Sequence, residues 1–482
     1  MIAYLNYKPT ILSLIALFSA AFLIRALVFS YSIAPNYYYQ QPDSYDYHVG
    51  ALCIATGNGM FRPDIKQPIF WRTPGYSYFL HFFYKAFGIN DARFEANTSA
   101  QKAALWVQII LNSFLPLILF ALAYLLTQSY CIAWITSIIS IVHTGFILAS
   151  MYVLSEGPSM LFFYLFLISF FNLILNKNYC WRYLFLAVCT LSIYTWIRPM
   201  GLCIGIISML LIGLFSALSL KKRLVIVVAF AILFGSSLAP WYIRNYRYTH
   251  EYFFNPTLGP YLNCFSVPKI LRRLYTIPLE QACKVAQQNA AYQVRKRHNQ
   301  IASQGLFASQ EACKKYAYPI IAAHPGYFIY DWITECIKTT FDLYNYQLVA
   351  LAKSTYSWDP LEEYLPEKWA ATLYKGSLPI AIRILGWIEL IFMLMMWIGL
   401  LKGIVEYILY PLYKRERLSG QMRIWITGAL LIGATIGMTG GFGYARLRLP
   451  IEPLLIILSL AILIPWIIQM PSKSKNKNLF EN

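Results

Sequence analysis

Ten apolar runs separated by polar stretches dominate the chain, at residues 11–31, 103–126, 131–151, 158–175, 183–196, 202–218, 224–241, 378–401, 424–439 and 454–468. The first run, at about 21 residues and 1.5 Å of rise per residue, is long enough to cross a ~30 Å hydrocarbon layer. It exceeds the ~7–15 residues of a cleaved signal's apolar region, so it reads as a span. The pattern predicts an all-α polytopic membrane protein of about ten transmembrane helices. The runs at 183 and 424 are short for a span, which leaves the count open by one or two.

Two long interruptions stand out, residues 32–102 and 244–377. In the first, an apolar stretch opens at Asp43 and stops at Thr56-Gly57-Asn58-Gly59, and a second aromatic stretch covers 77–87. Together they predict two short juxtamembrane helices. The second interruption carries helical patterns at 280–298 and 308–323 and reads as a small, mostly helical domain outside the membrane. No strand alternation or internal repeat is evident. The expected division is a membrane core with its first outer loop (1–243, loop 32–102), a helical outer domain (244–377), C-terminal membrane helices (378–470) and a basic tail (471–482).

Charge fixes the expected orientation. With the N-terminus inside, the short inner loops hold Lys177 and Arg182, then Lys221, Lys222 and Arg223, then Lys402, Lys414, Arg415, Arg417 and Arg423. The tail adds Lys473, Lys475 and Lys477. Lysine and arginine accumulate on the cytoplasmic side, so both long loops are placed outside, most simply on the outer face of a bacterial inner membrane.

Composition supports the membrane reading: 58% of the 482 residues are hydrophobic and 13% charged, with mean hydropathy +0.50, too apolar for a water-soluble enzyme. The formal charge of +19 does not indicate a nucleic-acid partner, because the basic residues punctuate apolar runs instead of forming one solvated face. Aromatics, at 17%, gather at the ends of the runs, where amphipathic rings settle at headgroup depth. The nine cysteines show no metal-binding spacing. Cys264, Cys283, Cys313 and Cys336 lie where an oxidising compartment would permit pairing.

The most informative feature is a set of ionisable residues that the orientation brings to one level. Asp43, Asp46, Arg72, Glu156, Arg198, Arg244, Arg446 and Arg448 all fall at outer helix ends or just beyond. Charges at the hydrocarbon boundary cost several kcal/mol unless paired or wetted, so the set predicts a polar cavity at the outer leaflet. Arginine presents a planar fork suited to phosphate oxygens, which points to a phosphorylated lipid headgroup. Each residue also has a local structural role open to it. Asp43 can cap a helix with Asp46 three residues on, Glu156 can favour the positive end of a helix dipole, and the arginines can anchor at the interface. Arg25, inside the first run, reads as a snorkelling residue. Asp43, Asp46 and His48 form a compact group better suited to hydrogen bonding than to holding a metal, and no metal or other cofactor is expected.

The segments PDSYDYHVGALCIATGNGMF and FWRTPGYSYFLHFFYKAFG, followed in order by SEG, IRP, PWYIRN and RLRLP, resemble the C-type membrane glycosyltransferases. The likeness is to the bacterial relatives of dolichyl-phosphate-mannose protein mannosyltransferases and of lipid A aminoarabinose transferases, and spans about residues 10–465. Met60 before Phe61, and Ser77 where proline is frequent, depart from the pattern. The resemblance implies transfer of a sugar from a polyprenyl-phosphate donor to an extracytoplasmic acceptor: lipid A, a surface glycan, a glycolipid or a protein. It places the catalytic carboxylate at Asp43, as general base or acceptor-orienting group. Asp46, His48, Arg72, Glu156, Arg198, Arg244, Arg446 and Arg448 are then candidates for binding donor phosphate or sugar. Phosphate is a good leaving group that needs cations more than an acid, and inversion is expected. The rival is a transporter or flippase for a lipid-linked or anionic substrate, which would carry its ionisable residues near the midplane, usually in two symmetric halves.

Overall fold

The computed structural model describes residues 8–32, 42–88, 98–178, 181–256, 258–298, 305–344, 380–439 and 445–469. The basic tail 471–482 and parts of both long loops, 33–41, 89–97 and 345–377, lie outside the described residues. In chain order the elements begin with α1 (Ile11–Ser32), α2 (Pro42–Ala55), β1 (Phe61–Arg62), β2 (Gln67–Pro68), α3 (Pro74–Ala86) and α4 (Thr98–Asn112). There follow α5 (Leu115–Thr127), α6 (Tyr130–Val142), α7 (Thr144–Ala149), α8 (Glu156–Leu175), α9 (Trp181–Ile197), α10 (Gly201–Phe215) and α11 (Leu220–Thr249). The second long loop contains α12 (Leu258–Tyr261), α13 (Val267–Tyr275), α14 (Leu279–His298), α15 (Gly305–Ala323) and α16 (Pro325–Phe341). The chain closes with α17 (Ile380–Ile404), α18 (Tyr410–Tyr413), α19 (Gly420–Thr439), α20 (Ala445–Arg448) and α21 (Glu452–Gln469).

The protein is an all-α polytopic membrane protein. Among the described residues six stretches are long and apolar enough to cross a bilayer: Ile11–Ser30, Ser99–Thr127, Glu156–Leu175, Leu220–Thr249, Arg383–Tyr413 and Gly420–Thr439. Four shorter apolar helices, Tyr130–Val142, Trp181–Ile197, Gly201–Phe215 and Glu452–Trp466, complete the set of ten expected runs. Two runs are broken where one helix was expected. Residues 103–126 divide at Asn112 and Ser113, whose side chains turn back to the carbonyls of Gln108 (2.9 Å) and Ile109 (2.7 Å), just before Pro116, which has no N–H to donate. Residues 131–151 divide at His143. The run at 424 is no marginal span, since its helix starts at Gly420 and has 20 residues.

Contacts define the two ends of the helix array. At one end Arg423 donates to the carbonyls of Phe215 and Ser216 (2.8 Å to the latter), and Ser216 Oγ to the carbonyl of Leu173 (3.0 Å). This gathers the short basic turns. The opposite end carries both long loops and is called here the loop face. There Thr73 Oγ1 bonds the carbonyl of Ile197 (2.8 Å), and Asn255 Nδ2 that of Trp71 (3.0 Å).

The helix α8 is apolar on all sides because it is buried on most of them: Phe163, Phe166, Phe170 and Phe171 lie in one continuous core with Leu119, Tyr194 and Leu455. Ile206, Leu210 and Leu214 on α10, and Ile384, Ile388 and Ile391 on α17, are exposed rows facing the lipid. In the second loop, α13–α15 enclose a separate small core of Leu262, Val267, Leu271, Ala282, Ala286 and Ala317. Cys264, Cys283 and Cys336 are free thiols there.

Candidate functional site

The site begins with two turns of backbone. Helix α2 opens at Pro42 and places Asp43 and Asp46 one turn apart on a common side. It ends at Gly57 (φ 83°) and Gly59 (φ 59°), left-handed positions that return the chain as the β1–β2 hairpin. The hairpin leads through Trp71 and Arg72 into α3, where Pro74 starts the helix. A Cβ on Gly75 would stand 2.6 Å from the carbonyl oxygen of Trp196, so only glycine lets α3 meet the end of α9 this closely. Arg72 is thereby fixed beside α2.

The result is a linear set of ion pairs. The Arg72 fork spans both acids, Nη2 donating to Asp43 Oδ1 and Nε to Asp46 Oδ2 (3.0 Å). From the far end of the sequence, Arg446 Nη2 donates to Asp43 Oδ2 (3.1 Å). Both oxygens of Asp43 are therefore held by arginines from different segments. The side chains of Asp43, Arg72 and Arg446 are about a quarter exposed, at 26%, 25% and 24%, so the row lies at the wall of a wetted cleft. Burial works to raise the Asp43 carboxyl, but Arg446 and Arg72 outweigh it and hold it below the ordinary carboxylate value. Asp46 moves the opposite way: burial raises it, Arg72 offsets only part, and the charge of Asp43 adds to the rise.

A second pair joins the row through Tyr47, whose ring lies 5.5 Å from the Arg72 guanidinium. Its hydroxyl donates to Ser155 Oγ (3.0 Å), which in turn points to Glu156 Oε2 (3.4 Å). Glu156 Oε1 stands 3.3 Å from Arg198 Nη1, both residues being buried. That nitrogen has no hydrogen-bond acceptor aligned to it among the described residues. Glu156, Arg446, Tyr152 and Tyr344 line a cleft. A second cleft, lined by Asp46, Tyr45, Arg62, Gln67 and Trp71, opens at the other end. The row Arg446–Asp43–Arg72–Asp46 thus runs from one cleft to the next.

Three expected site residues lie elsewhere. Arg244 donates to the carbonyls of Met60 (2.5 Å) and Ile69 (3.1 Å) and stacks on Trp241 (4.4 Å), pinning the hairpin to α11. Fully buried Arg448 is bonded to Glu452 Oε1 (2.5 Å) and to the carbonyls of Thr339 (2.7 Å), Thr340 (2.9 Å) and Asp342 (3.0 Å), tying α16 to α21. His48 is wholly buried with its Nδ1 2.7 Å from the Tyr84 hydroxyl, and burial pushes its imidazole down to about 4. Arg25, buried on α1, donates to the carbonyls of Ala21 (3.1 Å) and Ser140 (3.3 Å). Among the described residues no group of three or more His, Cys, Asp or Glu side chains is disposed to hold a metal.

Sequence reasoning missed four residues that shape the site. Tyr47 and Ser155 link its two halves. Asp342 Oδ2 accepts from the backbone N–H of Ala445 (2.7 Å) and the Tyr344 hydroxyl donates to the Ala445 carbonyl (2.8 Å). This clamp sets the turn that carries Arg446. The aspartate and aromatics of FDLYNY are visible in the sequence, but nothing local in them marks a contact a hundred residues away.

Fold and site together define an integral membrane protein with an arginine–carboxylate row at one face of its helix array. No protein-family model and no curated protein matches the sequence. Among solved structures, the chain is similar to the archaeal oligosaccharyltransferase AglB from Archaeoglobus fulgidus, in complex with an inhibitory peptide and a dolichol-phosphate. The TM-score is 0.48 and the identity 13%, over 95% of this chain and 52% of that one. The chain spans about half the length of that protein.

Proposed function

We propose that the protein is a membrane glycosyltransferase that moves a sugar from a polyprenyl-phosphate donor to an acceptor, with its loop face turned away from the cytoplasm of a bacterial cell. The acceptor is lipid A, a surface glycan, a glycolipid or a protein. The observation that carries this is the row Arg446–Asp43–Arg72–Asp46, assembled from distant segments and opening on a cleft at each end.

The donor phosphate occupies the Glu156–Arg446 cleft, with Arg198 as a second cation, and the acceptor enters from the Asp46–Trp71 side. The acceptor oxygen attacks the anomeric carbon, its bond to that carbon forming as the carbon–phosphate oxygen bond breaks. Polyprenyl phosphate leaves with the electron pair, the acceptor proton passes to a carboxylate, and the sugar inverts. Arginines neutralise the charge that grows on the departing phosphate.

Asp43 held between two arginines is a weak base in the empty enzyme. When phosphate draws Arg446 toward itself, one of the two restraints is relieved and the carboxylate becomes more basic as the donor arrives. Asp46, whose carboxyl is already raised, is placed to pass the proton on. A transporter would require ionisable groups near the midplane in two related halves, whereas this row lies at one end. Incubating membranes containing the wild type or Asp43→Asn with radiolabelled polyprenyl-phosphate sugar tests the proposal. Label should enter an acceptor only with the wild type, and undiminished transfer by the variant would remove Asp43 from the mechanism.

A further inference from the structure

We infer that α16, the last described helix of the second long loop, is embedded in the acyl chains of the bilayer along its outward face, so that this loop is only partly extramembranous. The helix is inverted relative to a helix of a water-soluble domain. Its acidic residues Asp331 and Glu335 are buried, Asp331 paired with Arg273 (2.5 Å) and Glu335 with Lys269 (2.5 Å) and the helix's own Lys338 (2.9 Å). Its outward stripe at i, i+4 and i+8 is Ile329, Ile333 and Ile337, exposed by 52%, 46% and 54%. Water on that side would meet a continuous apolar row while the carboxylates stayed buried, the reverse of what an aqueous surface selects.

Its surroundings identify the occupant. Trp332 Nε1 donates to the carbonyl of Gly437 (3.0 Å), and Cys336 Sγ approaches that of Ile436 (3.7 Å), both on the membrane helix α19. At its end Phe341 meets Trp397 of α17 with ring centroids 6.5 Å apart. Trp397 lies about 20 Å along the axis from Arg383, where that apolar span begins. The helix therefore lies beside two spans, and its backbone hydrogen bonds are satisfied internally. Arg273 packs over the Tyr330 ring (4.6 Å), so its charge is shared between Asp331 and the ring face. In the same loop α14 carries the exposed ion pair Lys284–Glu280.

The full-length protein is reconstituted in phosphatidylcholine vesicles bearing radiolabelled acyl chains. A benzophenone amino acid replaces Ile329, Ile333 or Ile337, with Lys284 as the water-facing control. Irradiation should attach several-fold more label at each of the three positions than at Lys284. Label no greater than the control overturns the inference, as does crosslinking at these positions to a second copy or to this chain's own residues in place of lipid. Because three separate positions are read, one variant that fails to incorporate does not decide the outcome.

Discussion

Replacing Asp43 by asparagine keeps the side chain's shape and removes the charge that Arg72 and Arg446 both engage. General-base catalysis contributes about 10²–10⁴-fold, and a carboxylate this strongly stabilised sits at the weaker end of that range. A fall in kcat of about 10²–10³, or roughly 3–4 kcal/mol of lost transition-state stabilisation, is expected. The donor KM should hold or fall, because the two arginines lose an anion that competes with phosphate. The wild type offers a second signature. The acid limb of kcat/KM reports the free enzyme, with Asp43 held down by both arginines, whereas that of kcat reports the donor complex, in which Arg446 is shared with phosphate. The limb in kcat should therefore lie at higher pH. Steady-state kinetics on purified protein with polyprenyl-phosphate sugar measure both. A kcat within about tenfold of wild type, a raised donor KM with unchanged kcat, or coincident acid limbs would refute the reasoning.

Arg446→Lys keeps the charge but loses the planar fork, and should lower kcat by about 10²–10³ with little change in thermal stability, read by parallel kinetics and melting curves. Arg448→Met should instead cost about 3–5 kcal/mol of stability by leaving Glu452 buried without its cation, and adding Glu452→Leu should recover part of it, as followed by denaturation in detergent. His48 ties stability to pH. Its unfolded value of 6.5 exceeds the folded value of about 4, so between them the unfolded chain holds a proton that the folded one lacks. Stability should therefore fall on acidification across that window, by on the order of 3 kcal/mol at most, and melting curves of His48→Gln should show a shallower slope.

The membrane helices were legible because a span announces itself through an unbroken apolar run, and the juxtamembrane helices because proline, aspartate and glycine mark their ends. Asp43 and Arg72 were legible as charges in an aromatic setting. The division of labour between Arg446 and Arg448 was not. Residues two apart on a helix point about 200° from one another, so one faces the cleft and the other the interior, and RLR does not reveal which. The same spacing separates Asp46, at the cleft, from His48, buried against Tyr84. The place of Arg244 carries no local signal, because its carbonyl partners belong to a hairpin that closes only in three dimensions. Asp342 and Tyr344 carry no periodic or motif signal, since their role is to hold a backbone unit contributed by the far end of the chain.

The most direct test follows both halves of a doubly labelled donor, sugar and polyprenyl phosphate, in sealed vesicles containing the wild-type protein. The proposed transfer predicts that the sugar label becomes covalently attached to acceptor with inverted anomeric configuration while polyprenyl phosphate is released in equal amount. Recovery of intact donor on the opposite side of the membrane, with the two labels still joined, would contradict it.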